Sequence, residues 1–236
     1  MNFRLPDVVK NLLIINGLFF LATLLYQPFM FEKFALFFPL TRQFMPHQFV
    51  THMFMHGGFE HILGNMFGLF FLGPMLEMRM GPKRFLTYYI ITGLGAAALH
   101  LGVFYLQYLS YENTLGEEIT RKVMEEGYVG GLSYNVYTDK VIQGFNEFIN
   151  SPTVGASGAV FGILLAFGML FPNVELMMLF FPVPIKAKYF VIGYGVIELF
   201  LGLRNNPGDN VAHFAHLGGM LFGFFLIKHW RNKGFI

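Results

Sequence analysis

The sequence predicts an all-α protein, a polytopic bundle of six transmembrane helices. Three observations predict it. Hydrophobic residues make up 55% of the 236 and charged residues only 13%, against roughly 25% charge in an ordinary soluble domain. Apolar stretches recur at about 9–29, 62–80, 85–108, 154–171, 187–203 and 211–230, each at or near the ~20 helical residues that a hydrocarbon core requires. Clear polarity is confined to one region, 109–152, which carries Glu112, Glu117, Glu118, Glu125 and Glu126.

Taken in order, the first stretch follows Arg4 and Lys10 and could pass for a signal peptide. It runs instead into Tyr26-Gln27-Pro28-Phe29 with no small-residue cleavage site, so a retained helix is expected. Residues 30–61 are apolar and aromatic. Phe31, Phe34, Phe37, Phe38, Phe44 and Phe49 suit a loop half-immersed in the interface. The second and third stretches are separated by a short basic segment. Residues 109–152 are expected to form an extramembrane insertion, partly helical over 116–127. The fourth stretch opens on Gly155-Ala156-Ser157-Gly158 just after Pro152, a helix-start pattern. Pro172, Pro182 and Pro184 mark 172–186 as a loop. The fifth stretch is the shortest and leans on its flanks for length. The sixth carries Ala215-His216 near its start.

Lys and Arg placement sets the orientation. With the N-terminus inside, ten lie on the inner side (Arg4, Lys10, Arg79, Lys83, Arg84, Lys186, Lys188, Lys228, Arg231, Lys233) and six on the outer. Both termini are therefore expected to be cytoplasmic, and the helices that begin near Ser157 and His216 both enter from the outer face. A net charge of +2 without a basic run argues against nucleic acid as a partner. The absence of cysteine excludes disulfides, thiol catalysis and cysteine-ligated metals.

A hydroxyl and an imidazole inside apolar stretches are costly placements, and each is a functional candidate for that reason. Serine needs an adjacent base to become a nucleophile, and histidine is the usual one. Ser157 in a first helical turn has unpaired backbone N–H groups nearby, suited to a developing oxyanion, although a helix-capping serine looks the same. Gly219 and Gly223 follow His216 on one helical stripe, and Gly158 and Gly162 give the serine helix a matching one. Such small-residue faces let helices approach closely. His61 and Asn65, four apart, are neighbours on one helix face and could stabilise an oxyanion, or simply bond helices together. A haem or metal reading of His52, His56, His61, His213 and His216 leaves the Gly-Ala-Ser-Gly turn unexplained, and no HExxH spacing is present.

These residues resemble the rhomboid family of intramembrane serine proteases. Gly155-Ala156-Ser157-Gly158 is similar to its GxSG motif, and Ala215-His216-Leu217-Gly218-Gly219 with Gly223 to its AHxxGxxxG. His61 through Asn65 resembles HxxxN, and Phe54-Met55-His56-Gly57-Gly58 the segment before it. Glu77, Gly81, Arg84-Phe85 and Tyr88-Tyr89 resemble a further stretch after the second helix. The resemblance covers most of residues 46–230. It implies a Ser157–His216 dyad with no triad aspartate, and indeed no Asp lies within an apolar stretch to orient His216. It also implies an oxyanion hole of the Ser157 backbone N–H, His61 and Asn65, with no cofactor. The partners implied are transmembrane protein substrates and membrane lipid, and the location a bacterial inner membrane with the site toward the outer face. The fifth helix would be a lateral gate. Phe161 stands where many bacterial members carry Tyr, so ring stacking on His216 can survive but a phenolic hydrogen bond cannot. An inactive rhomboid-like protein, or a polytopic binding or transport protein, is the alternative.

Overall fold

The computed structural model describes residues 4–126, 128–129, 133–134, 139–178, 181–204 and 212–236. The chain adopts an all-α, multi-helix membrane-associated fold. Its elements are α1 (Asp7–Leu25), α2 (Gln27–Phe34), α3 (Gln48–Thr51) with a 3-10 turn after it, α4 (Phe59–Met80), α5 (Pro82–Leu115), α6 (Glu117–Glu126), β1 (Tyr128–Val129), β2 (Ser133–Tyr134), α7 (Lys140–Asn150), α8 (Ser157–Leu170), β3 (Glu175–Met178), β4 (Phe181–Lys186), α9 (Ala187–Arg204) and α10 (His213–Asn232). The six apolar stretches hold α1, α4, α5, α8, α9 and α10. Among the described helices, α1, α4 and α5 are by length and composition sufficient to cross a membrane, and α8 is a shorter apolar helix.

Several boundaries differ from the hydropathy reading, each for a local reason. The first stretch was expected to run on to about residue 29, but Tyr26 leaves helical geometry and Pro28 lies in the first turn of the separate α2, where a missing N–H costs nothing. The third stretch continues as helix through Leu115, past the end of its apolar run, and stops where Gly116 takes φ +85°. Residues 109–152 are accordingly helical over much of their length. The expected loop at 172–186 contains an antiparallel β3–β4 hairpin pairing Glu175 with Lys186. Its two prolines fit a two-stranded ribbon because both strands are edges.

α5 is the central post, packed against α10 and α8. Phe85, Tyr88 and Tyr89 of α5 are fully buried with Leu69 and Leu76 of α4, Ile163 and Phe167 of α8, and Ile227 of α10. Apolar side chains also face outward in quantity. Ile192, Val196, Phe200 and Leu203 form one exposed stripe along α9, as expected where lipid rather than water is the solvent. A second, smaller core joins Phe38 and Phe104 to Val123 of α6 and Phe145 and Ile149 of α7. Phe37 and Phe38 are thus buried in protein, not half-immersed, while Phe31, Phe34, Phe44 and Phe49 are half-buried. Glu77, near the end of α4, accepts the Val8 and Val9 N–H groups at 3.1 and 2.8 Å. It caps α1, which has no cap of its own, and places negative charge at the positive end of that helix.

Candidate active site

The approach to Ser157 is fixed by backbone pairing. Leu36 and Thr153 exchange N–H···O bonds at 2.9 and 2.8 Å, and Gly155 N–H donates to the His52 carbonyl at 2.9 Å. Gly155 has φ +128°, a conformation that favours glycine. A Cβ there would lie 2.7 Å from His61 Nε2 and 3.6 Å from Ser157 Oγ. The hydroxyl and the His61 ring therefore border one small space at this glycine. The turn ends at Ser157, the first residue of α8, with Ala156 before it making no side-chain cap. The helix begins three residues later than the apolar stretch suggested, so the Ser157 N–H lies in the first turn, where donors lack helical partners.

Gly57 N–H donates to His61 Nδ1 at 3.4 Å, a long bond that favours the tautomer with its proton on Nε2, the nitrogen on the Gly155 side. Asn65 Nδ2 donates to the His61 carbonyl at 2.8 Å, which occupies one of its two amide hydrogens and leaves the other. His56 packs edge-on against His61, with ring centroids 5.1 Å apart.

The serine and histidine helices touch at glycines. A Cβ on Gly219 would fall on the Gly158 backbone, and one on Gly158 would lie 3.5 Å from the Ala215 carbonyl. Gly158, the residue after Ser157, thus lies against Gly219, one helical turn after His216. Gly162 and Gly223 do not continue this crossing as the two-stripe reading expected. They take α5 side chains instead: Gly162 faces Thr92, and Gly223 faces Tyr88 and Thr92. Tyr88 also donates its hydroxyl to the Gly162 carbonyl at 2.8 Å. α5 is thus a third wall that the motif pattern did not signal.

His216 is buried and stacks on Phe161, with centroids 4.0 Å apart and planes within 6°. Its Nδ1 lies 2.8 Å from Glu198 Oε2, and His213 Nδ1 lies 2.7 Å from the same oxygen. Glu198, on α9, is the residue that the sequence reading missed. No aspartate lies within an apolar stretch, but Glu198 is a carboxylate within the apolar Ile197-Glu198-Leu199. The placement rule applied to Ser157 and His216 would have flagged it. Ligand atoms of Glu198, His213 and His216 lie within 4.8 Å of one another and could hold a metal ion. Hydrogen bonds account for the same spacing. Among the described residues, Ser157 and His216 share no direct hydrogen bond.

The family model of the Rhomboid domain matches residues 43–231. RHOMBOID-like protein 12, mitochondrial, of Arabidopsis thaliana is 30% identical over 220 residues, covering 90% of this chain and 55% of its own length. Rhomboid-like protein 16, chloroplastic, of the same plant is 26% identical, covering 74% and 46%. Rhomboid protein 1, mitochondrial, of Saccharomyces cerevisiae is 26% identical, covering 74% and 40%. The chain spans about half, or less, of the length of these relatives.

Proposed function

The chain belongs to the rhomboid family, and from that premise we propose that it is an intramembrane serine endopeptidase. It cleaves transmembrane protein substrates in or near the bilayer. Ser157 is the nucleophile and His216 the general base. The observation that carries this reading is the Gly158–Gly219 crossing, which sets the residue after Ser157 against the helical turn that follows His216.

In the proposed reaction His216 Nε2 takes the Ser157 hydroxyl proton as Oγ attacks the substrate carbonyl. The negative oxygen that forms is met by the Ser157 backbone N–H, His61 Nε2–H and the spare Asn65 amide hydrogen, donors aimed at developing charge. The imidazolium then protonates the leaving amine, and water repeats the sequence on the acyl-enzyme. Contact between the serine and histidine side chains tightens when substrate is bound. The six apolar helices serve as six spans of a bacterial inner membrane, with both termini cytoplasmic and Ser157 toward the outer face. α9 is the wall through which substrate enters.

A fluorophosphonate probe tests the reading. Wild type should be labelled, and Ser157→Ala and His216→Ala should be neither labelled nor proteolytic while remaining folded in the membrane. The double variant should be no worse than either single one, because residues acting as a unit are not additive. Near-wild-type cleavage by Ser157→Ala would falsify the assignment. The lack of a Ser157–His216 hydrogen bond is also what an inactive rhomboid-like binding protein would display, and such a protein would leave the probe unreacted.

A further inference from the structure

Glu198 is a carboxylate on a helix whose outward stripe is Ile192, Val196, Phe200 and Leu203, yet it is only 4% exposed. A charge in such a place requires partners, and both partners are on α10. One oxygen, Oε2, receives His213 Nδ1 at 2.7 Å and His216 Nδ1 at 2.8 Å. An ionised carboxylate only accepts, so both imidazoles carry their proton on Nδ1. In the neutral ring of His216 this puts the lone pair on Nε2, the form that a general base needs, with the ring also clamped by Phe161. A mere tie between α9 and α10 needs one of these bonds. The second goes to the residue that the chemistry requires to be oriented.

We propose that Glu198 is a positioning residue for His216, held in place by His213, so that the site works as an acid–histidine–serine triad and not as a dyad. This rests on the proteolytic reading above. When His216 Nε2 accepts the Ser157 proton, the ring becomes an imidazolium with Nδ1–H still bonded to Oε2. The carboxylate stays ionised and takes no proton. It fixes the tautomer and stabilises the cation. Serine and histidine arrive through the two sequence motifs, and the acid arrives from α9, 18 residues before the histidine.

The test uses the full chain in detergent micelles with a fluorophosphonate probe, in which Ser157 Oγ bonds to phosphorus as fluoride leaves. Glu198→Gln should label roughly 10²–10⁴-fold more slowly at saturating probe, with the half-saturating concentration unchanged. Glu198→Asp should recover part of the rate. A purely structural tie would instead move probe binding and the thermal midpoint together. Histidine-selective 15N NMR of the wild-type protein reads the tautomer without any variant, and should show His216 protonated on Nδ1. A labelled wild type whose Glu198→Gln form keeps its rate would overturn the assignment alone, as would His216 protonated on Nε2 only. Loss of labelling in EDTA, restored by zinc, would overturn it in favour of a metal site. An unlabelled wild type would overturn the hydrolase reading and this assignment with it.

Discussion

Gly219→Ala is the smallest change that should disable the site without touching a reacting group. The added methyl would sit 2.8 Å from the Gly158 carbonyl carbon and 3.3 Å from its Cα, and closer still to its oxygen. Ordinary contact starts at 3.4 Å, and the obstacle is backbone that cannot rotate aside. α8 and α10 must therefore part by about 1 Å. Displacement of that size in a reacting pair costs roughly 10²-fold in rate, equivalent to about 2.7 kcal/mol of barrier. Overpacking typically costs about 1–3 kcal/mol of stability, so the protein should remain folded at reduced thermal midpoint. The assay is the rate of fluorophosphonate labelling, with Gly102→Ala as control. There an added Cβ meets nothing within 4 Å, and helix propensity favours alanine by about 1 kcal/mol. Wild-type labelling by Gly219→Ala would refute the argument that the close crossing sets the serine–histidine distance.

The other expectations follow from single contacts. His61→Ala and Asn65→Ala should each lower turnover roughly 10²–10³-fold with little change in KM; a change confined to KM would move that residue to a packing role. Phe161→Tyr should keep the stack on His216 and nearly all the activity. Phe161→Ala should lose about 0.5–1.5 kcal/mol of ring contact and up to about tenfold in rate, read in the same labelling assay. Glu77→Ala strips the α1 cap and should cost about 1–3 kcal/mol of stability, seen as a lower thermal midpoint with the probe rate per folded molecule unchanged. Burial holds His52, and burial with the neighbouring His61 holds His56, at a pKa of about 4 against an ordinary 6.5. Protons therefore bind the unfolded chain first. Stability should be constant above about pH 6.5, fall as pH drops toward about 4, and level off below. A His52→Asn variant that retains the full acid slope would count against His52 as a source.

The apolar runs marked where helices lie but not where they end. Hydropathy stops reporting at the polar residues after 108, whereas α5 continues to Gly116 because nothing before it breaks helical geometry. Conversely, helical geometry breaks at Tyr26, where the run dips through Tyr26-Gln27-Pro28, before the apolar stretch ends near residue 29. At the candidate site, Ser157, His216, His61, Asn65 and Gly155 stand out in the sequence as candidates because each sits in a short motif. The contribution of α5 through Thr92 and Tyr88 does not. It depends on which face of a long, evenly apolar helix turns inward, and composition does not specify that. Glu198 was illegible to a search by motif for the opposite reason: its partner is 18 residues away, and only the packing of α9 on α10 closes that gap.

The length of α8 has a consequence for water. Fourteen residues rise about 21 Å at 1.5 Å each, against a hydrocarbon slab of about 30 Å. Some 9 Å of slab is left without α8 beside it. With Leu170 set at the inner edge of the slab, as the proposed orientation would have it, that shortfall would lie above Ser157, where the chain leaves helical form at Gly155 and Thr153 pairs with Leu36. On that placement Ser157, the proposed nucleophile, would be the floor of a depression and not a group sealed at mid-depth. The proposed hydrolysis would then need no aqueous channel through the protein, since solvent need only fill a dent. Because the chain has no cysteine, Ser157→Cys supplies the sole thiol. A reagent unable to cross lipid should reach that thiol from the outer face alone.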